Sequence, residues 1–418
     1  MQLIFNRFDF NYSDKPKITF VMRKHLFISA FLFLSASHAF AQNFTVIDST
    51  RSIIIMPDGV RGSRPNSVGT TNTALGRNTL INNTTGTKNI AIGDSALSSN
   101  LTSNENIAIG YRALVKNNSQ FANIAIGSEA MKSNVSGNDN IAVGRQALRD
   151  NVGGLGNVAV GEFNLALTTY GSWNTAIGYN AMYGNTGSNN IGIGYNALSG
   201  NGYNSGNDNV ALGFTAMSLN KNSSDNVVIG SKAFYNNSYS SKNIAIGKEA
   251  LYAQSYTNSN AAYDGNNLAI GYQALYSNQP QVVNGYLSGL NNLAIGNYAL
   301  RNNTYGFSNT AIGFSTLQQN QTGTHNTAVG YSSLAISTGS SNSAFGSWTL
   351  RVNTSGGSNS AFGTAVLYSN TTGSGNNAFG QYSLYNNTSG FSNSAFGNDV
   401  LRANTVGYYN SSLVIRLL

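Results

Sequence analysis

Asn89-Ile90-Ala91-Ile92-Gly93-Asp94-Ser95-Ala96-Leu97-Ser98-Ser99-Asn100 is answered 17 residues on by Asn106-Ile107-Ala108-Ile109-Gly110-Tyr111-Arg112-Ala113-Leu114-Val115-Lys116-Asn117. Modules of this kind open at Asn72, 89, 106, 123, 140, 157, 174, 190, 209, 226, 243, 267, 292, 309, 326, 342, 359, 376 and 393, nineteen in all. Thirteen of the eighteen intervals are 17 residues. Self-similarity at a fixed period outranks chain length as a guide to the fold, because each unit buries its apolar side chains only by stacking on the next.

Each position of the repeat, counted as a slot from the opening Asn, has its own requirement. Slot 5 is Gly in every copy, as at Gly93, Gly110, Gly127, Gly178 and Gly313. That points to a positive φ or to a corner with no room for a Cβ. Slot 4 is always apolar and slot 9 is always Leu, Met or Phe, so both are expected in stacked core ladders. Slot 3 is Ala except at Gly192 and Val228. Successive strand residues face opposite sides, so this small residue should face a closely packed surface away from slot 4. Slot 12 is usually Asn, as at Asn100, Asn117 and Asn134, with Thr168, Gln254 and Ser337 as exceptions. Asn tolerates left-handed turns and can pass amide hydrogen bonds from coil to coil.

A helical repeat fits badly, since its units are longer and Gly and Asn in every unit would break short helices. The expectation is an all-β parallel β-roll or solenoid of about 19 coils, each with two short strands and two turns. The only proline of the repeat region, Pro280, sits in an insertion, as ladders that need every N–H require. A coil this thin buries few side chains, which argues for packing against further copies.

Composition narrows the function. The formal charge is +8, of which residues 1–41 contribute +3 (five basic, two acidic), leaving a dilute +5 over 42–418. No basic run suggests a nucleic-acid partner. The absence of cysteine rules out thiol chemistry and disulfides. His325 is the sole histidine after residue 41, and carboxylates are scattered, with no slot holding one in most copies. No catalytic, metal or cofactor site is therefore assigned, and the chain is read as non-enzymatic. Asn138-Asp139-Asn140 and Asn207-Asp208-Asn209 read as turns before they read as calcium ligands.

Met22-Arg23-Lys24-His25, the apolar run Leu26–Ser35 and Ala39-Phe40-Ala41 form a signal peptide over 22–41. Residues 1–21 read as an upstream extension, 42–71 as a lead-in or cap, 72–409 as the repeat domain, and 410–418 as a truncated or atypical end. The expected location is extracellular, at the cell surface or associated with the outer membrane.

Aromatic residues recur in slot 6 at Tyr111, Tyr179, Tyr195, Tyr272 and Tyr331, and in slot 10 at Tyr183, Tyr235, Tyr252, Tyr276, Tyr368 and Tyr385. Two longer intervals place extra residues near 255–266 and 278–290, which hold Tyr263 and Tyr286. Insertions in solenoids become loops on one face, often a binding face. These tyrosines are candidate ligand-binding residues, since Tyr joins an apolar ring to a polar tip.

The Asn-x-Ala-Ile-Gly-x-x-Ala-Leu phrase resembles the head repeat of trimeric autotransporter adhesins, the YadA-like family, and is similar to repeats of bacterial and phage fibres. The resemblance covers residues 72–404. It implies a left-handed parallel β-roll, assembled as a homotrimer and binding a host or surface protein or glycan. The stalk heptads and the membrane-anchor strands of that family do not follow residue 404, so the mode of membrane attachment is not encoded in these residues. A purely structural extracellular fibre, an ice-binding solenoid needing a regular Thr ladder, and a carbohydrate-processing enzyme are the rival readings.

Overall fold

The computed structural model describes Val60–Arg61 and residues 72–414, apart from 119, 201–203, 256–260 and 284. The signal peptide and upstream extension lie outside the described residues, as does nearly all of the lead-in. Among the described residues there is no helix. Three-residue strands recur once per coil, from Thr73–Leu75 through Ile90–Ile92 and Ile107–Ile109 to Ser411–Leu413. Each pairs in parallel with the strand of the next coil, slot on slot: Ile90 with Ile107, Ala91 with Ala108, Ile92 with Ile109. The ring centroids of Phe345, Phe362, Phe379 and Phe396 lie 4.7, 4.8 and 5.0 Å apart, which is the rise of one coil.

The expectation of two strands per coil is corrected. The rest of each coil is a run of tight turns. Ala96 N–H donates to the Gly93 carbonyl (3.3 Å) and Asn100 N–H to the Leu97 carbonyl (3.1 Å), closing two consecutive turns. Between coils, Leu97 N–H donates to the Ala113 carbonyl at 3.1 Å, so this side is hydrogen-bonded along the axis as well.

The sidedness of the strand is also corrected. Slot 3, not slot 4, points inward: Ala91, Ala108 and Ala125 are fully buried. They pack in one core with slot 8 (Ala96, Ala113) and slot 9 (Leu97, Leu114, Met131). Slots 2 and 4 flank the inward residue and face out, with Ile90 at 37%, Ile126 at 36% and Ile177 at 40% exposure. The coil is so thin that the slot 9 side chain from the opposite wall nearly fills it, leaving space on the strand side for Ala in most copies and for nothing larger than the buried Val228. Gly192 makes the limit visible, since a Cβ there would lie 2.5 Å from Cγ of Met182 in the preceding coil.

The slot 5 glycine meets both of its expected demands. Gly93 has φ +125°, and a Cβ on it would sit 2.6 Å from the carbonyl oxygen of Gly110. Slots 7, 9 and 17 also take positive φ, as at Ser95 (61°), Leu97 (49°) and Glu105 (61°). Such a residue costs about 1–2 kcal/mol, a cost that burying Leu at slot 9, about 1.5–3 kcal/mol, offsets. Asn100, Asn117 and Asn134 are not left-handed, contrary to one half of the slot 12 expectation.

The other half holds. Asn134 Nδ2 donates to Asn117 Oδ1 at 3.1 Å, and Asn151 Nδ2 to Asn134 Oδ1 at 2.9 Å, in a buried ladder. A second buried ladder runs through slot 1: Asn123 N–H donates to Asn106 Oδ1 (3.0 Å), and Asn140 N–H to Asn123 Oδ1 (3.1 Å). Its Nδ2 groups donate to slot 15 carbonyls, as Asn123 does to Gly137 at 2.9 Å. Buried amides are affordable only when paired in this way.

Candidate interaction surfaces

Three features face solvent: the outer side of the strand ladder, the aromatic columns on the turn side, and the two insertions. The strand face is set by slots 2 and 4. It is aliphatic from Ile90–Ile92 to Leu293–Ile295, save Thr175, and then becomes Thr with Ile or Val, and finally Ser or Asn with Phe. The four phenylalanines of the last stretch stack face to face in register.

The slot 6 tyrosines are brought together in part. Tyr179 stacks on Tyr195 (5.5 Å, 9°), and Tyr195 on Phe214 (5.3 Å, 13°). Tyr331 stacks on Phe314 (5.5 Å, 6°), whereas Tyr272 meets Tyr298 edge to face (5.3 Å). Tyr111 stands apart beside Arg112, 5.9 Å from the ring centre. Stacked neighbours cover each other's faces, so Tyr179 and Tyr195, although 42% and 46% exposed, offer mainly edges and hydroxyls to solvent. In slot 10, Tyr235, Tyr252 and Tyr276 form a like stack at 5.5 and 5.0 Å. Burial and the charge of neighbouring Tyr252 push the Tyr276 hydroxyl pKa up.

Sequence reasoning missed the slot 7 rings. Phe163 meets Tyr179 edge to face at 6.0 Å, and Trp348 meets Tyr331 at 6.1 Å, extending the columns. Their signal was present, since large rings recur in that slot at Phe163, Tyr298, Trp348 and Tyr382. What makes them neighbours of slot 6 is the positive φ that slot 7 adopts, 59° at Trp348.

Both insertions leave the turn between slot 12 and the next opening Asn of consecutive coils. In the first, Tyr263–Asp264 pairs in parallel with Ser240–Ser241. Tyr263 is thereby buried at 9% exposure and is not presented to solvent. In the second, Val282–Val283 and Tyr286–Leu287 form an antiparallel hairpin, with Tyr286 81% exposed.

Charge is distributed unevenly. Ion pairs bridge successive coils near the start of the repeat, Arg77 with Asp94 (2.6 Å) and Lys88 with Glu105 (2.7 Å). A hydrogen bond from Ser95 and the Arg77 guanidinium hold the Asp94 carboxyl below its ordinary pKa. Lys132 does the same for Glu129. By contrast, residues 265–398 contain no Asp or Glu, and their only Lys or Arg residues are Arg301 and Arg351. Among the described residues no group of three His, Cys, Asp or Glu could hold a metal ion. Nor is any helix among them long and apolar enough to cross a membrane. No family model, curated protein or solved structure matches the chain.

Proposed function

We propose that the chain is an exported, non-catalytic fibre or adhesin head whose copies associate side by side along the outer strand face. The observation that carries this reading is the aliphatic ladder of slots 2 and 4. Nineteen coils at about 4.8 Å, with three-residue strands about 10 Å wide, give a face of roughly 900 Å², of which the aliphatic coils from Ile90 to Ile295 make up roughly 580 Å². A specific interface of standard size covers about 800 Å² per partner. An apolar slot 4 residue in every coil, joined by an aliphatic slot 2 residue in most coils from Ile90 to Leu293, would be matched along its length by a surface with the same repeat. A second copy of this chain has one. The number three rests on the likeness of the repeat to trimeric adhesin heads. In this reading the Ala ladder belongs to the interior of each protomer and takes no part in the subunit contact.

Light scattering of the chain expressed from residue 42 tests it. A trimer that Ile126→Lys plus Ile177→Lys converts to a folded monomer supports the reading. A monomeric parent protein would remove the self-association and leave a free-standing solenoid. The ligand of such a head would be a protein or glycan of a host, cell or matrix surface. A purely structural fibre is the second reading, favoured by one observation: the stacked tyrosines use their ring faces on one another.

A further inference from the structure

Two of the most exposed rings of the repeat stand in a single turn. In the turn that closes the coil opened by Asn157, Tyr170 is 69% and Trp173 63% exposed. A glycine precedes each by one coil of 17 residues, Gly153 before Tyr170 and Gly156 before Trp173. The rings are seated on these glycines. A Cβ on Gly153 would lie 3.1 Å from Cδ1 and 3.3 Å from Cε1 of Tyr170, and one on Gly156 would fall against Cε3 and Cζ3 of the Trp173 indole. Trp173 N–H donates to the Leu155 carbonyl at 2.8 Å, which holds the two turns together beneath the rings. Leu155, itself exposed, extends the apolar surface beside them.

Tyr195, stacked between Tyr179 and Phe214, shows what a ring covered on both faces looks like: it is less exposed than either Tyr170 or Trp173. No other ring of the described residues meets Tyr170 or Trp173, so each has one side seated on backbone and the other open. The turns around them carry no cation. Residues 135–139, 152–156, 169–173, 186–189 and 205–208 contain no Lys, Arg or His, and their only charged residues are Asp139 and Asp208. Asp139, Gly156, Trp173, Asn189 and Asp208 are the last residues of five successive coils. Because the indole covers Gly156, Asp139 lies just beyond it, one coil rise of about 4.8 Å further on. Asp139 is exposed and forms no ion pair among the described residues.

We propose that this platform binds a neutral saccharide, its apolar ring faces lying on Tyr170 and Trp173 and its hydroxyls bonding to the Asp139 carboxylate and the Asn189 amide. An aromatic face carries partial negative charge and attracts the C–H groups of a sugar ring, and an ionised carboxylate is a strong acceptor for its hydroxyls. Nucleic acids and acidic glycans are disfavoured, since they need cations where these turns hold only Asp139 and Asp208. The proposal rests on the adhesin reading and deepens it by naming a site and a ligand class.

The probes are cellohexaose, mannohexaose, chitohexaose and galactotetraose, titrated calorimetrically against the chain expressed from residue 42. At least one should bind, and Tyr170→Ala and Trp173→Ala should each weaken that binding about 10-fold or more, the scale of one lost aromatic stacking contact. Both side chains are exposed, so these variants should melt like the parent. Gly156→Ala tests the seat. The last position of a coil already accepts Ala122 at φ 54°, so the backbone should hold while the indole is displaced and binding falls several-fold. Trp348→Ala, which removes the chain's other indole, should bind like the parent. Binding of none of the four probes, or binding that Trp173→Ala leaves unchanged, overturns the proposal. So does tighter Trp173-dependent binding of decaproline than of any saccharide, which would assign the rings to a protein partner. Saccharide binding by a monomeric chain would support the platform and remove only the self-association, whereas a trimer that binds none of the probes would overturn the platform alone.

Discussion

The buried slot 12 ladder makes a prediction with opposite signs at two positions of the same residue type. Where four residues span the turn from slot 12 to the slot 15 glycine, Asn is fully used. Asn134 donates to Asn117 Oδ1 (3.1 Å) and to the Gly137 carbonyl (2.8 Å), and accepts from Asn151 Nδ2 at 2.9 Å. Where the turn is one residue shorter, the amide rotates. Asn185 Oδ1 accepts from Gly187 N–H at 2.9 Å, and its buried Nδ2 is left without a partner. Asn204 repeats the pattern with Gly206 (3.0 Å) and is orphaned at the same atom. The third short turn carries Ser337 in this slot. The upstream neighbour feels that substitution, for Asn320 Oδ1 is buried and unpartnered.

Serine is therefore the informative replacement at both sites. At Asn134 it can keep at most one of three bonds, so two buried groups lose partners at about 1–3 kcal/mol each, a destabilisation of about 2–5 kcal/mol. At Asn185 it removes an orphaned donor and can still cap Gly187 N–H, so stability should stay within about 1 kcal/mol or rise. Solenoid stability is a sum over neighbouring coils, so the cost falls locally. Amide hydrogen exchange resolved by peptide is the suitable assay. A loss of about 3 kcal/mol lowers protection roughly 100-fold in the coils flanking residue 134. Equal costs at 134 and 185 would refute the turn-length rule.

The remaining backbone and charge features are as testable. Gly93→Ala should cost about 3 kcal/mol or more, through both positive φ and the Gly110 carbonyl 2.6 Å from the new Cβ, read as lost exchange protection around that corner. Ser358→Gly should stabilise by about 0.5 kcal/mol, since relief of a left-handed L-residue (φ 56°), about 1–2 kcal/mol, exceeds the added unfolded-chain entropy; an unchanged urea midpoint would count against it. Asp94 and Glu129 have folded pKa values below ordinary carboxylates, so their contribution is present above the unfolded pKa and is lost as pH falls through the lowered folded values. Exchange at pH 3 should accordingly loosen the coils around 94–129 ahead of the acid-free coils of 265–398, and uniform loosening would contradict this.

Much of the fold is written in the repeat, because a stacked coil leaves each slot little freedom. The period, the glycine corner, the core role of slot 9 and the amide ladder of slot 12 all follow from residue identity and spacing. The sidedness of Ile90-Ala91-Ile92 does not follow from size, although alternation puts the two residue types on opposite faces. Larger apolar residues are ordinarily the buried ones, and here that rule inverts, because Leu97 and its ladder fill the thin interior from the opposite wall. The decisive clue was variance, not hydrophobicity. Slot 3 holds one volume in all but two copies, as a confined site must, while slots 2 and 4 range over Thr, Ser, Asn, Val, Leu, Ile and Phe, as a surface can. The same logic explains the aromatic columns. Slot 6 was legible because tyrosine recurs there, but its partnership with slot 7 depends on a left-handed backbone at residues as unlike as Trp348, Ser315 and Glu129. The fold imposes that conformation whatever the side chain. Among the described residues the outer aliphatic ladder is likewise imposed by the coil, whose own packing leaves slots 2 and 4 uncovered, and that exposure is the ground on which it is proposed as a contact surface.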